Sequence, residues 1–115
     1  MSEDAQAGLS IRINLHNGGR FGPGKAALLR AILEHGSISK AVDSLSMSYP
    51  RALKLIEEMN TDFQGPLVIS SHGGATRGGS ALSETGETVL AAYDAVCTEA
   101  TTATHAILEK LTSMS

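Results

Sequence analysis

The chain has 115 residues, a formal net charge of −3, 42% apolar residues, only 3% aromatic residues and no Trp. This length supports one domain with a modest core rather than two. A core so poor in aromatics must be built from Leu, Ile, Val, Ala and Met, which suits close-packed helices better than a β-sandwich. No apolar run approaches the roughly 18 residues that span a membrane, and MSEDAQAGLS lacks the basic-then-apolar order of a secretion signal. With a single Cys no internal disulfide is possible, so the expected location is cytoplasmic.

The net charge speaks against nucleic acid, but its distribution does not. Residues 20–60 carry six basic and four acidic side chains, whereas residues 84–115 set Lys110 alone against five carboxylates. Between residues 37 and 54, Lys40, Arg51 and Lys54 face only Asp43. So small a basic excess implies marked salt dependence and modest affinity per subunit.

Residues 1–8 are small and polar and read as a disordered tail. Leu9, Ile11, Ile13 and Leu15 then alternate with polar residues, the pattern of a half-buried strand that Asn17-Gly18-Gly19 ends. Its pairing partner is either the later hairpin or a second subunit. Phe21-Gly22-Pro23-Gly24 is a breaker cluster leading into a support helix from about Lys25 to His35. Ala26, Leu28, Leu29, Ile32 and Leu33 are its apolar set and Gly36 its C′ residue.

Ser37 to Asn60, SISKAVDSLSMSYPRALKLIEEMN, reads as two helices joined by a tight turn. Ser37 caps the first and Ser48 the second, and Pro50 occupies the second helix's first turn, where its missing N–H costs nothing. Ala41 is small enough for a close helix crossing. Ala52, Leu55, Ile56 and Met59 share one face of the second helix, leaving Tyr49, Arg51, Leu53 and Lys54 on the other. This is the layout of a helix-turn-helix whose second helix enters a DNA major groove.

A loop over Thr61–Pro66 precedes a strand at Leu67-Val68-Ile69. Ser71–Ser80, SHGGATRGGS, then reads as a long glycine-rich tip before Ala81-Leu82 resumes an extended chain. A strand, tip and strand directly after a recognition helix form a β-wing, with Arg77 as its backbone contact. No GxxxxGK[ST] or dinucleotide-binding spacing is present.

From Ser83 as cap, Glu84 to about Thr112 reads as one long helix of about 40 Å, too long for so small a core. Leu90, Tyr93, Cys97, Ala100, Thr104, Ile107 and Leu111 form a heptad seam for dimerisation, close-packed in the middle where the residues are small. Cys97 reads as a small apolar seam residue rather than a redox group. The fold class is therefore mainly α with a small β-wing: a winged helix-turn-helix over residues 9–83, and a dimerisation helix over 84–115 within the same domain.

An enzyme has little support. His16, His35, His72 and His105 sit in unrelated contexts with no metal-ligand spacing, and no nucleophile elbow is present. The adjacent Glu57-Glu58 cannot flank a substrate. Neither a cofactor nor a metal is expected.

These residues together resemble a known family. The order support helix, SISKAV, MSYPRALK, IEEMN, glycine-rich wing, ALSETGETVL and long helix is similar to the N-terminal domain of the ModE family of molybdate-responsive transcription regulators. It is more distantly similar to the DNA-binding domain of LysR-type regulators. The resemblance runs from about Leu9 to Leu111 and rests on Gly36-Ser37-Ile38-Ser39, Met47-Ser48-Tyr49, Glu58-Met59-Asn60 and the paired glycines at 73–74 and 78–79. It implies a dimer on an inverted-repeat operator, with Ser37, Ser48, Tyr49, Pro50, Arg51 and Lys54 facing double-stranded DNA and Arg77 joining from the wing. Full-type members continue into oligo-binding folds that hold molybdate. No stretch up to Ser115 has that capacity, so the expected regulator lacks its own sensor and any molybdate response comes through a separate partner. The alternative is a winged-helix module that binds protein through its recognition face or acidic helix and does not bind DNA.

Overall fold

Helical periodicity dominates the chain, and the fold follows it. The computed structural model describes the backbone of residues 8–73 and 76–115, and the side chains of 8–70 and 79–115. The expected tail lies, apart from Gly8, outside the described residues. The elements in order are β1 (Ile13–Asn14), β2 (Arg20–Phe21), α1 (Pro23–His35), α2 (Ile38–Leu45), α3 (Tyr49–Asp62), β3 (Val68–Gly73), β4 (Thr76–Leu82) and α4 (Glu84–Ser113). Each pair of strands forms its own antiparallel two-stranded sheet. The architecture is a winged helix-turn-helix with a long C-terminal helix.

Residues of all four helices and both hairpins build the core. Leu28, Leu29 and Ile32 of α1, Ala41 of α2, Ala52 and Met59 of α3, and Leu67 ahead of β3 have no accessible surface. Each large apolar side chain removed from water contributes about 1.5–3 kcal/mol. Leu33 departs from its expected place and lies 53% exposed, because α1 presents only one stripe to the core. α1 ends as its glycine demands: Gly36 is left-handed at φ 75°, and its N–H donates to the Ile32 carbonyl.

Four local readings are corrected. First, the N-terminal strand pairs within its own chain with β2 rather than with the wing, Ile13 opposite Phe21 and Asn14 opposite Arg20. Leu15 N–H donates to the Gly19 carbonyl, and Gly18 takes φ 93° in the turn between them. The strand is also shorter than its alternation suggested. Upstream, the Tyr93 hydroxyl of α4 holds the Ile11 carbonyl at 2.6 Å.

Second, Phe21 is not part of a breaker. It is 1% exposed and packs edge-on against Phe63 and Tyr93, with centroids 6.0 and 5.2 Å away. An aromatic-poor chain thus gathers three of its four aromatic rings at one point. Third, α1 begins at Pro23, since proline is pre-organised for a first helical position, and α3 continues through Asp62.

Fourth, the glycine-rich segment is mostly paired strand rather than tip. Ser70 stands opposite Ser80, Ser71 opposite Gly79 and Gly73 opposite Thr76. Ladder hydrogen bonds need only backbone, so the pairing begun at Val68–Leu82 runs on through residues with no apolar pattern, with a register shift between Ser71 and Gly73.

Candidate nucleic-acid interface

The α2–α3 pair is built by its caps. Ser37 Oγ accepts from Lys40 N–H at 3.1 Å and Ser48 Oγ from Arg51 N–H at 3.2 Å. Between the helices Ser46 takes a left-handed conformation at φ 53°, and Met47 N–H reaches back to the Val42 carbonyl at 3.0 Å. This closure turns the chain from α2 into α3 in three residues. Ala41 and Ala52, both fully buried, keep the two helices close.

With Ala52, Ile56 and Met59 turned inward, helical geometry sends the other side of α3 outward. Tyr49 is 46% and Leu53 44% exposed, and Pro50, Arg51 and Lys54 are exposed beside them. The structure therefore groups Ser48, Tyr49, Pro50, Arg51 and Lys54 at one end of one helix. Ser37 stands apart at the start of α2, half-buried, its hydroxyl oxygen engaged as a cap. Arg77 lies in β4, with its side chain outside the described residues.

The wing is fastened to α3 by Asn60. Its Oδ1 accepts from Leu67 N–H at 2.8 Å and Val68 N–H at 3.3 Å, and its Nδ2 donates to the Val68 carbonyl at 3.4 Å. On the other side Ser80 N–H donates to the Gly36 carbonyl at 2.9 Å, tying β4 to the α1–α2 turn. The hairpin is thus held on both sides of the helix-turn-helix.

Electrostatics sharpen the picture. Lys25 Nζ sits 3.0 Å from Glu58 Oε1 and donates to the Arg20 carbonyl at 2.8 Å. The Lys25 hydrogen bond is the main influence holding the Glu58 carboxyl below its ordinary 4.5, with Lys54 and Arg20 adding to it. Arg12, Arg20, Arg51 and Lys54 make no ion pair among the described residues. Sequence reasoning assigned no role to Arg12 or Arg20. The fold brings them, with Lys25 and Arg51, around an open cavity of about 270 Å³ at the start of α1. Only β1–β2 pairing could have revealed this grouping.

α4 divides into two parts. Gly86, Leu90 and Tyr93 are buried against the rest of the chain, and Arg30 of α1 binds Asp94 at 2.5 Å. Beyond Cys97 no described residue of the helix is buried, and Ile107, Leu111 and Met114 are 69%, 64% and 78% exposed. This corrects the expected seam. Leu90 and Tyr93 are enclosed by the subunit's own core. The free apolar stripe is Val96, half-buried Cys97, Ala100 and Thr104, then Ile107, Leu111 and Met114. Among the described residues no group of three or more His, Cys, Asp or Glu could hold a metal, and no helix is long and apolar enough to cross a membrane.

No protein-family model matches the chain. Curated relatives do. It is 39% identical over 79 residues to molybdenum-pterin-binding protein MopB of Rhodobacter capsulatus, covering 69% of this chain and 29% of that protein. It is 36% identical over 84 residues to molybdenum transport protein ModE of Azotobacter vinelandii, covering 73% and 31%. It is 37% identical over 76 residues to transcriptional regulator ModE of Yersinia pestis, covering 66% and 29%. The matched segment thus spans about three tenths of each of these relatives. Over that shared part, the chain is similar to ModE regulators and their molybdenum-binding relatives.

Proposed function

We propose that this chain is a cytoplasmic, sequence-specific DNA-binding transcription regulator that works as a homodimer on an inverted-repeat operator. The observation that carries the reading is the outward face of α3. Tyr49, Pro50, Arg51 and Lys54 stand exposed at the start of a helix whose opposite face is locked into the core. A helix presented in this way fits the major groove, with Arg51 placed for a guanine edge and Lys54 for a phosphate. The free apolar stripe of α4 supports the second half of the reading. An arm that buries nothing of its own subunit past Cys97 gains by pairing with a copy of itself. Pairing would set two recognition helices about 34 Å apart, one helical turn of DNA. The names of the relatives place transcription regulation and molybdenum in the same family.

Selection of bound fragments from a random DNA pool at low salt tests the reading and reveals half-site spacing directly. Arg51→Ala is expected to weaken operator binding by about 1–3 kcal/mol and relax base preference, while Lys54→Ala weakens all sequences alike. A stable dimer that retains no duplex at low salt would instead favour a protein-binding module using the acidic α4, which sets Lys110 against five carboxylates.

A further inference from the structure

The cavity at the start of α1 is lined by Arg12, Arg20, Lys25 and Arg51, together with Gly22, Pro23, Gly24 and Leu55, and no carboxylate is among its walls. The cations arrive from four places: the chain before β1, β2, α1 and α3. Lys25 is neutralised by Glu58 and braced on the Arg20 carbonyl, so it forms an ordered wall. The three guanidinium groups are exposed and without ion-pair partners among the described residues. Converging like charges on one concavity works against folding, and an anion between them reverses that sign.

The backbone agrees with this. Gly22 offers no side-chain cap to α1, and Pro23 has no N–H, so the first-turn N–H groups have no capping partner among the described residues. At Gly22 an added Cβ would lie 3.4 Å from Arg12 Cγ, and at Gly24 it would meet nothing within 4 Å. The contact at Gly22 is an ordinary van der Waals one, and the space over Gly24 is open to a ligand.

We infer that this notch binds a phosphodiester of the DNA strand bordering the groove that α3 reads. Guanidinium forks match phosphate oxygens in pairs, and Arg51 belongs to both the notch and the first turn of α3. A bound strand would therefore be clamped between the N-terminal hairpin and the recognition helix, fixing the register without reading bases. The inference rests on the DNA-binding reading above.

The test uses the full chain, a selected duplex and fluorescence anisotropy across a salt series. Arg12→Gln and Arg20→Gln are each expected to weaken binding about tenfold on every sequence and to make the log–log salt slope shallower by about 0.9 per lost phosphate contact. Base preference stays that of wild type, and the thermal midpoint of the free protein does not fall, since each variant removes one of the converging charges. Arg20→Lys, which keeps the charge, retains the slope. Wild-type binding with unchanged affinity and slope in both Gln variants overturns the notch while leaving the recognition helix in place. Inorganic phosphate shifting the Arg20 side-chain resonance, with DNA affinity indifferent to both variants, would make it a small-anion site and also overturn the inference. A wild-type chain that binds no duplex removes the underlying reading, and the notch falls with it.

Discussion

Replacing Asn60 with Ala would cut the fastening between α3 and the wing. Its strongest bond, Oδ1 to Leu67 N–H at 2.8 Å, serves a residue with no accessible surface, so water cannot readily replace it. Leaving such a donor unsatisfied costs about 1–3 kcal/mol. The contacts to Val68, at 3.3 and 3.4 Å, are long and add little. A loss of about 2 kcal/mol follows, or roughly 8 °C in thermal midpoint at about 4 °C per kcal/mol for a domain of this size. Asn60→Asp separates the causes. It keeps an acceptor for both N–H groups, loses the weak donor and sets a carboxylate oxygen near the Val68 carbonyl, so its midpoint should fall less than that of Asn60→Ala. Thermal unfolding followed by circular dichroism, at one fixed protein concentration because association shifts the midpoint, decides the matter. A midpoint for Asn60→Ala within about 1 °C of wild type, or an Asp variant as damaged as the Ala variant, would refute the assignment of this bond as the fastening.

Gly86→Ala should destabilise by at least about 1–3 kcal/mol, because an added Cβ would press on the Leu67 main chain, with its carbonyl carbon only 3.1 Å away; urea denaturation measures it, and a neutral result would mean that α4 does not cross the chain ahead of β3 this closely. Burial, and then the neighbouring Cys97, push the Tyr93 hydroxyl from its ordinary 10.0 up to about 12. A raised acid favours its neutral form in the fold, so its contribution is complete below pH 10 and is lost as pH climbs towards 12. Tyr93→Phe should flatten that alkaline decline in a pH series while costing about 1 kcal/mol at neutral pH through the lost bond to Ile11. Ile107→Asp with Leu111→Asp should yield monomers in sedimentation that keep the wild-type circular dichroism spectrum, since neither side chain belongs to the core; persistent dimers would exclude the α4 stripe as the interface.

Much of this protein was legible in local chemistry. Ser37, Ser48 and Ser83 as caps, Gly36 as a left-handed stop and the apolar spacing of Ala52, Ile56 and Met59 each depend on neighbours within a turn or two. They therefore determined the helices, their order and the outward face of α3 from sequence alone. What depended on contacts between distant residues was decided only in three dimensions. Phe21 became a core residue because Phe63 and Tyr93, far along the chain, close around it. The glycine-rich wing became paired strands because a backbone ladder needs no side-chain pattern. Leu90 and Tyr93, which spacing alone puts on a heptad seam, are enclosed by the chain's own core. Arg12 and Arg20 joined Arg51 only when β1 folded onto β2. Periodicity reports which side of a helix is apolar, but the partner that covers each side is settled by packing across the whole chain.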